Sequence, residues 1–239
     1  MCCAPWVEDI ARHKGALDAF EGLIGPDILC YSMAFRAKGP DRATHAGWHQ
    51  DSAYSKIEPI MVLAALALSP VTVENGCLRV IPGSHLGGLL NHADSEDPNS
   101  ILARGQSIID PIDESKAVPM VLQPGEVGFF DYRIVHGSGP NLTDDTRLML
   151  LVEMMPASAR QGEGRETALL VRGEDAPIGI FWPIPTTWAR RRRRPWRPGS
   201  GRSPSAPAMF TAPPRSRRTR PMPAAARRCD LALPNAPQL

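Results

Sequence analysis

The residues whose types and spacing point to chemistry are His49-Gln50-Asp51 and, much later, His136 and Arg147. On an extended chain, a His and an Asp two positions apart lie on the same face, because successive side chains alternate. His49 and Asp51 can then bind one metal ion without distorting the backbone. A second His arriving from a distant strand would complete a two-His-one-carboxylate face, which leaves metal positions open and suits non-haem Fe(II) oxygenases. His136, on the turn His-Gly-Ser-Gly-Pro-Asn, is the candidate for that third ligand. Alone, a His-x-Asp triplet arises by chance in many proteins; what adds weight is the order of the later parts. Arg147 opens a strongly apolar run, and a guanidinium buried there needs an anionic partner, since an unpaired buried charge is costly. Its planar fork fits a carboxylate in bidentate fashion, so Arg147 is the candidate cation for an acidic cosubstrate.

The elements that must position these residues read mainly as short strands. From Trp6 to Ile24, apolar residues fall at helical spacing (Val7, Ile10, Leu17, Phe20, Ile24), and Gly25-Pro26 stops the helix. Ile28–Phe35 reads as a strand, Lys38-Gly39-Pro40-Asp41 as a loop, and Ile60–Leu68 as a buried strand. Residues 87–118 form a long polar connection of the kind that serves as a lid or binding loop. Val118–Leu122 and Val127–Tyr132, joined by Gln123-Pro124-Gly125-Glu126, predict a hairpin-like pair. Arg147–Met155 is a further strand. Many short strands between Gly/Pro turns predict a sandwich or barrel with an N-terminal helix.

A chain of 239 residues is long enough for one sizeable core plus extensions. No apolar run approaches the roughly 20 residues needed to span a bilayer, and no secretory signal is visible. The odd set Cys2, Cys3, Cys30, Cys77 and Cys229 contains no CxxC pair, which argues for a reducing cytoplasm. The net charge of +2 hides an asymmetry. Residues 186–239 hold thirteen Arg and a single Asp, whereas residues 1–185 hold 14 basic against 24 acidic residues, a net of −10. We therefore divide the chain into a folded domain over 1–185 and an Arg/Pro-rich tail over 186–239 that is expected to be disordered. Arg without Lys is the composition of GC-rich DNA read out of frame, and a frameshift near Ala176 is one expectation for it. Phosphate contacts through Arg190–Arg194 are a lesser one, so nucleic acid is not an expected partner.

Several segments together resemble the phytanoyl-CoA dioxygenase family of Fe(II)- and 2-oxoglutarate-dependent oxygenases. They are Trp48-His49-Gln50-Asp51, Asn75 through His85, Gln123-Pro124-Gly125-Glu126-Val127, and His136-Gly137-Ser138-Gly139 through Arg147. The likeness spans roughly residues 6–175 and implies a double-stranded β-helix (jelly roll) that is shortened at its N-terminus. It implies that His49, Asp51 and His136 ligate iron, that Arg147 pairs with the far carboxylate of 2-oxoglutarate, and that Ser138 donates to the same group. Gln50 is an additional cosubstrate candidate. The implied reaction is hydroxylation of a small organic substrate with O2, releasing succinate and CO2. Related halogenating enzymes carry a small residue where this chain has Asp51, so the carboxylate favours hydroxylation. The alternative is a non-catalytic jelly-roll module that retains the metal. His85, ending Pro-Gly-Ser-His, reads as a turn residue, His92 as a solvated loop residue, and Asp131 and Arg133 as either partners of His136 or a surface ion pair. Substrate identity does not follow from the sequence.

Overall fold

In the computed structural model, residues 5–161, 167–174 and 182–183 are described. The expected tail from residue 186 lies outside them. The single helix expected over 6–24 is two, α1 (Pro5–Ala11) and α2 (Lys14–Ile24), because His13 takes an extended backbone (φ −62°, ψ 120°) between them. β1 (Ile28–Lys38) follows, then β2 (Ala46–His49), the short β3 (Ile57–Glu58) and β4 (Val62–Ala67). Next come β5 (Arg79–Val80), β6 (His92–Ala93), β7 (Ser107–Ile108), β8 (Val118–Pro119) and β9 (Val127–Asp131). The chain closes with β10 (His136–Ser138), β11 (Arg147–Pro156), β12 (Arg160–Gln161), β13 (Thr167–Arg172) and β14 (Trp182–Pro183).

Two sheets make the jelly roll. The larger has the order β14-β13-β1-β11-β4-β9, and the smaller β2-β10-β5-β8. The larger sheet is covered on both sides, which explains why β4 and β11 are apolar at consecutive positions. Leu63, Ala65, Ala67 and Met149 pack inward with Ile134, Leu122 and Cys77 from the side of the smaller sheet. Val62, Ala64, Leu150, Val152 and Met154 pack outward against Leu17 and Phe20 of α2. Cys30 and Cys77 fall in different clusters and form no disulfide. Among the described residues, no helix is long and apolar enough to cross a membrane.

Two further expectations change. β1 does not stop at Phe35 but runs through Lys38, because it stays in register with β11 to the pair Lys38↔Arg147. Non-local pairing overrides the local turn signal there, and Gly39-Pro40 ends the strand one residue later. The predicted hairpin is instead an arch between the sheets, with β8 pairing with β5 and β9 with β4. Its turn is tied to β4, where the Gly125 N–H donates to the Ala67 carbonyl and the Ala67 N–H to the Glu126 carbonyl. The 87–118 connection folds on itself through β6 and β7 and brings Ile101, Leu102 and Ala103 to the rim of a central cavity.

Candidate metal centre

Strand pairing brings the sequence-distant ligands together. β10 runs antiparallel to β2 with His136 opposite His49, and the ring centroids lie 4.1 Å apart. Each imidazole is anchored from behind: Nδ1 of His49 contacts the Gly47 carbonyl at 2.8 Å, and Nδ1 of His136 the Ile134 carbonyl at 3.0 Å. A carbonyl only accepts, so each Nδ1 carries a proton and each Nε2 is the nitrogen turned toward the Asp51 carboxylate. After the extended Gln50 (φ −122°, ψ 127°), Asp51 opens a short 3-10 turn over Asp51–Ala53. Its carboxylate thereby returns to the side of His49. The two Nε2 atoms stand 3.5 Å (His49) and 3.6 Å (His136) from its oxygens, and one ligand atom from each residue fits within 4.8 Å of the others.

The electrostatics favour the ligating protonation states. Burial, and then the neighbouring His49, push the His136 imidazolium down to about 4, so it is neutral at pH 7. Burial opposes ionisation of Asp51, but His136 and His49 outweigh it and hold the carboxyl below its usual range. A neutral imidazole beside a carboxylate is what a divalent metal requires.

The metal face opens on a cavity of about 530 Å³. Arg147, Met149, Leu151 and Glu153, alternate residues of β11, line one wall, with Met61 and Leu63 beside them. Arg147 is 4% exposed. Its Nη1 donates to the Gly76 carbonyl, while its Nε is buried without a hydrogen-bond partner. Gly76 supports this contact in a way no other residue could: φ is +73°, and a Cβ would collide with the Gly139 carbonyl. Burial pushes the guanidinium below its usual range, and no carboxylate of the described residues stands against it. An orphaned buried donor on a cation is the signature of a site built for an anion. Ser138, on β10, is buried and lines the same cavity.

Gln50, expected to face the cosubstrate, does not. It is fully buried on the opposite side from His49 and Asp51, as strand alternation requires. Its Nε2 donates to the carbonyls of Gly88 (2.9 Å) and Arg133 (2.8 Å), and its Oε1 accepts from the Leu90 N–H at 2.9 Å. Gln50 thus pins the start of the long connection to the segment that carries His49 and Asp51. His92 is no solvated loop residue either, because its Nε2 accepts from the Gln50 backbone N–H at 3.1 Å. His85 sits in the turn Ser84–Leu86, apart from the triad. Asp131 and Arg133 pair with each other (Nε–Oδ1 2.9 Å), while His136 turns to Ile134.

Two site residues were not signalled. Glu153 lies at the far end of the wall, where burial raises its carboxyl above the usual range. Lys38 is 1% exposed, with its ammonium 2.7 Å from Ser138 Oγ and 2.6 Å from the Gly139 carbonyl. Burial, and then the Arg147 charge, bring it down to about 8.

Fold and site together define a jelly-roll protein with a facial His-Asp-His triad beside a buried, unpaired guanidinium. The chain belongs to the phytanoyl-CoA dioxygenase family: the model of that family, Phytanoyl-CoA dioxygenase (PhyH), matches residues 4–149, a span that includes His49, Asp51, His136 and Arg147. A probable phytanoyl-CoA dioxygenase of Caenorhabditis elegans is 28% identical over 151 residues, covering 60% of this chain and 48% of that protein. Among solved structures, the non-heme monooxygenase ThoJ in its apo form is 33% identical with a TM-score of 0.67, covering 75% of this chain and 65% of that one. EvdO2 from Micromonospora carbonacea var. aurantiaca, complexed with 2-oxoglutarate, is 28% identical with a TM-score of 0.52, covering 66% of each chain. The chain spans about half the length of curated relatives it matches.

Proposed function

We propose that this chain is an Fe(II)- and 2-oxoglutarate-dependent dioxygenase that hydroxylates a small organic substrate. One observation carries the reading: the His49/Asp51/His136 triad and the unpaired guanidinium of Arg147 open on the same cavity. The solved relative that contains 2-oxoglutarate supports the cosubstrate. When bound, the iron and 2-oxoglutarate supply O2 activation coupled to decarboxylation of the keto acid to succinate and CO2.

The chain's own residues do the holding and the excluding. His49 and His136 present Nε2 lone pairs and Asp51 a carboxylate oxygen from one side, leaving the cavity side for other ligands. Arg147, whose buried Nε has no partner, would hold the distal carboxylate of the keto acid, and Ser138 would donate to the same group. Met61, Leu63, Met149 and Leu151 form a dry wall, and Ile101–Ala103 cover the rim. The alanines of β4 pack into the core clusters rather than lining this cavity. Glu153 and Arg36 put a carboxyl and a cation on the part of the cavity left to substrate.

The experiment is an anaerobic titration of the Fe(II) protein with 2-oxoglutarate. A weak visible charge-transfer band, absent from His136→Ala, is expected, followed in air by succinate release that a true substrate stimulates. A folded Fe(II) protein that gives no band sinks the reading; a band without succinate release under any substrate leaves the metal-binding module instead.

A further inference from the structure

Lys38 is the buried cation that the reading above leaves without a task. An ammonium has donors only, so in the 2.7 Å contact the Ser138 oxygen must accept from Lys38. The hydroxyl proton then has to point elsewhere, and among the described residues no other partner takes it. Ser138 lines the cavity together with Arg147, whereas Lys38 sits behind the hydroxyl and does not reach the cavity itself. Without Lys38 the same hydroxyl could turn its proton inward to the protein, since a serine is both donor and acceptor. Lys38 is also the strand partner of Arg147, which sets two positive charges next to each other in the same buried end. Its backbone is fixed as well, through the Asn141 side-chain amide that donates to the Lys38 carbonyl at 3.0 Å.

We propose that Lys38 is a positioning residue of the cosubstrate site, holding Ser138 as a donor into the cavity and adding the second positive charge that makes this end select a dianionic keto acid. The inference rests on the oxygenase reading and deepens it. The hold on Ser138 is the larger part of its effect, and so predicts a coupling between the two residues rather than two fully separate losses.

Affinities for 2-oxoglutarate and for 2-oxobutyrate, which lacks the distal carboxylate, are measured by anaerobic calorimetry on the Fe(II) protein. The variants are Lys38→Met, Ser138→Ala and the double variant, each checked for folding by its melting curve. Lys38→Met is expected to weaken 2-oxoglutarate binding at least about tenfold, the scale of a charge-assisted hydrogen bond. 2-Oxobutyrate binding is expected to stay within about twofold, and the double variant to be far less impaired than the product of the single losses. Lys38→Arg, which keeps a charged donor, should recover part of the affinity. Wild-type 2-oxoglutarate affinity in Lys38→Met, multiplicative losses, or equal losses for both keto acids overturn the proposal. If Lys38→Met does not fold, Lys38→Gln takes its place in the cycle. If neither folds, Ser138→Ala decides: unchanged discrimination between the two keto acids overturns the proposal, and reduced discrimination supports it. Failure of the wild-type Fe(II) protein to bind either keto acid is a different result, and removes the oxygenase reading itself.

Discussion

The two ends of the cavity are finished to different degrees. At the metal end, both imidazoles are bonded from behind to backbone carbonyls and the carboxylate between them is held ionised by its neighbours. At the other end, Lys38 and Arg147 lie across β1 and β11 with burial acting against both charges. Among the described residues, neither forms an ion pair with a carboxylate. The first end is organised by the protein alone; the second is left high in energy until an anion arrives. Such a division makes metal binding and cosubstrate binding separable, and each variant below tests whether they are.

The largest effect belongs to the metal end. Replacing an outer partner of a ligand costs roughly 10–100-fold in metal affinity, so removing a ligand in His136→Ala should weaken Fe(II) binding by more than about a hundredfold. An anaerobic Fe(II) titration reads this directly, and tight stoichiometric binding by that variant would end the triad assignment. Arg147→Met is the matching change at the cation end. 2-Oxoglutarate affinity should fall about a hundredfold, in line with loss of a buried charged pair, while Fe(II) affinity moves by a few-fold at most. The guest-free variant should melt no lower than the wild type, because an uncompensated buried charge has been removed. Were Fe(II) binding to collapse along with 2-oxoglutarate binding, the two ends would be one unit.

Gln50→Leu sharpens the contrast from the rear of the metal end. It strips partners from the Gly88 and Arg133 carbonyls and the Leu90 N–H, for a loss of about 3 kcal/mol in the docking of that segment. Amide exchange at Leu90 should speed accordingly, with a smaller effect on Fe(II) affinity than His136→Ala. An unchanged exchange rate at Leu90 would show that Gln50 does not hold the connection.

What the sequence disclosed follows the same division. His49, Asp51, His136 and Arg147 were legible because their chemistry is carried by residue type and motif order, which survive without knowledge of the strand pairing. Lys38 was not, because Lys-Gly-Pro-Asp carries a loop signal and only the distant β11 keeps that residue in a strand. Gln50 shows the limit of a motif: the family likeness made it a cosubstrate candidate, yet its side chain lies on the other face and bonds to Gly88, Arg133 and Leu90. The arch from β8 to β9 was misread because a Pro-Gly turn reports a reversal of the chain but not which sheet each arm joins. The break at His13 likewise left no trace in an unbroken helical pattern of apolar residues.

The smallest effect is a pH dependence that separates Lys38 from its surroundings. Its folded value of about 8 lies below the ordinary 10.5, so between these limits the unfolded chain holds a proton that the folded protein has shed. More protons on the unfolded state means that stability rises with pH across this window, by roughly 1 kcal/mol for each pH unit. Cys77 and Tyr132, whose thiol and phenol are pushed up by burial, act in the opposite direction, because there the folded state keeps the proton longer. Both remain in Lys38→Met, so the difference between the denaturation profiles of wild type and variant isolates the lysine. That difference should grow from pH 8 to pH 10 in the guest-free protein. It should flatten when 2-oxoglutarate is present, since a bound carboxylate favours the charged ammonium. Parallel profiles would mean that Lys38 is as comfortable charged in the folded protein as in water, and the contrast between the two ends of the cavity would then rest on Arg147 alone.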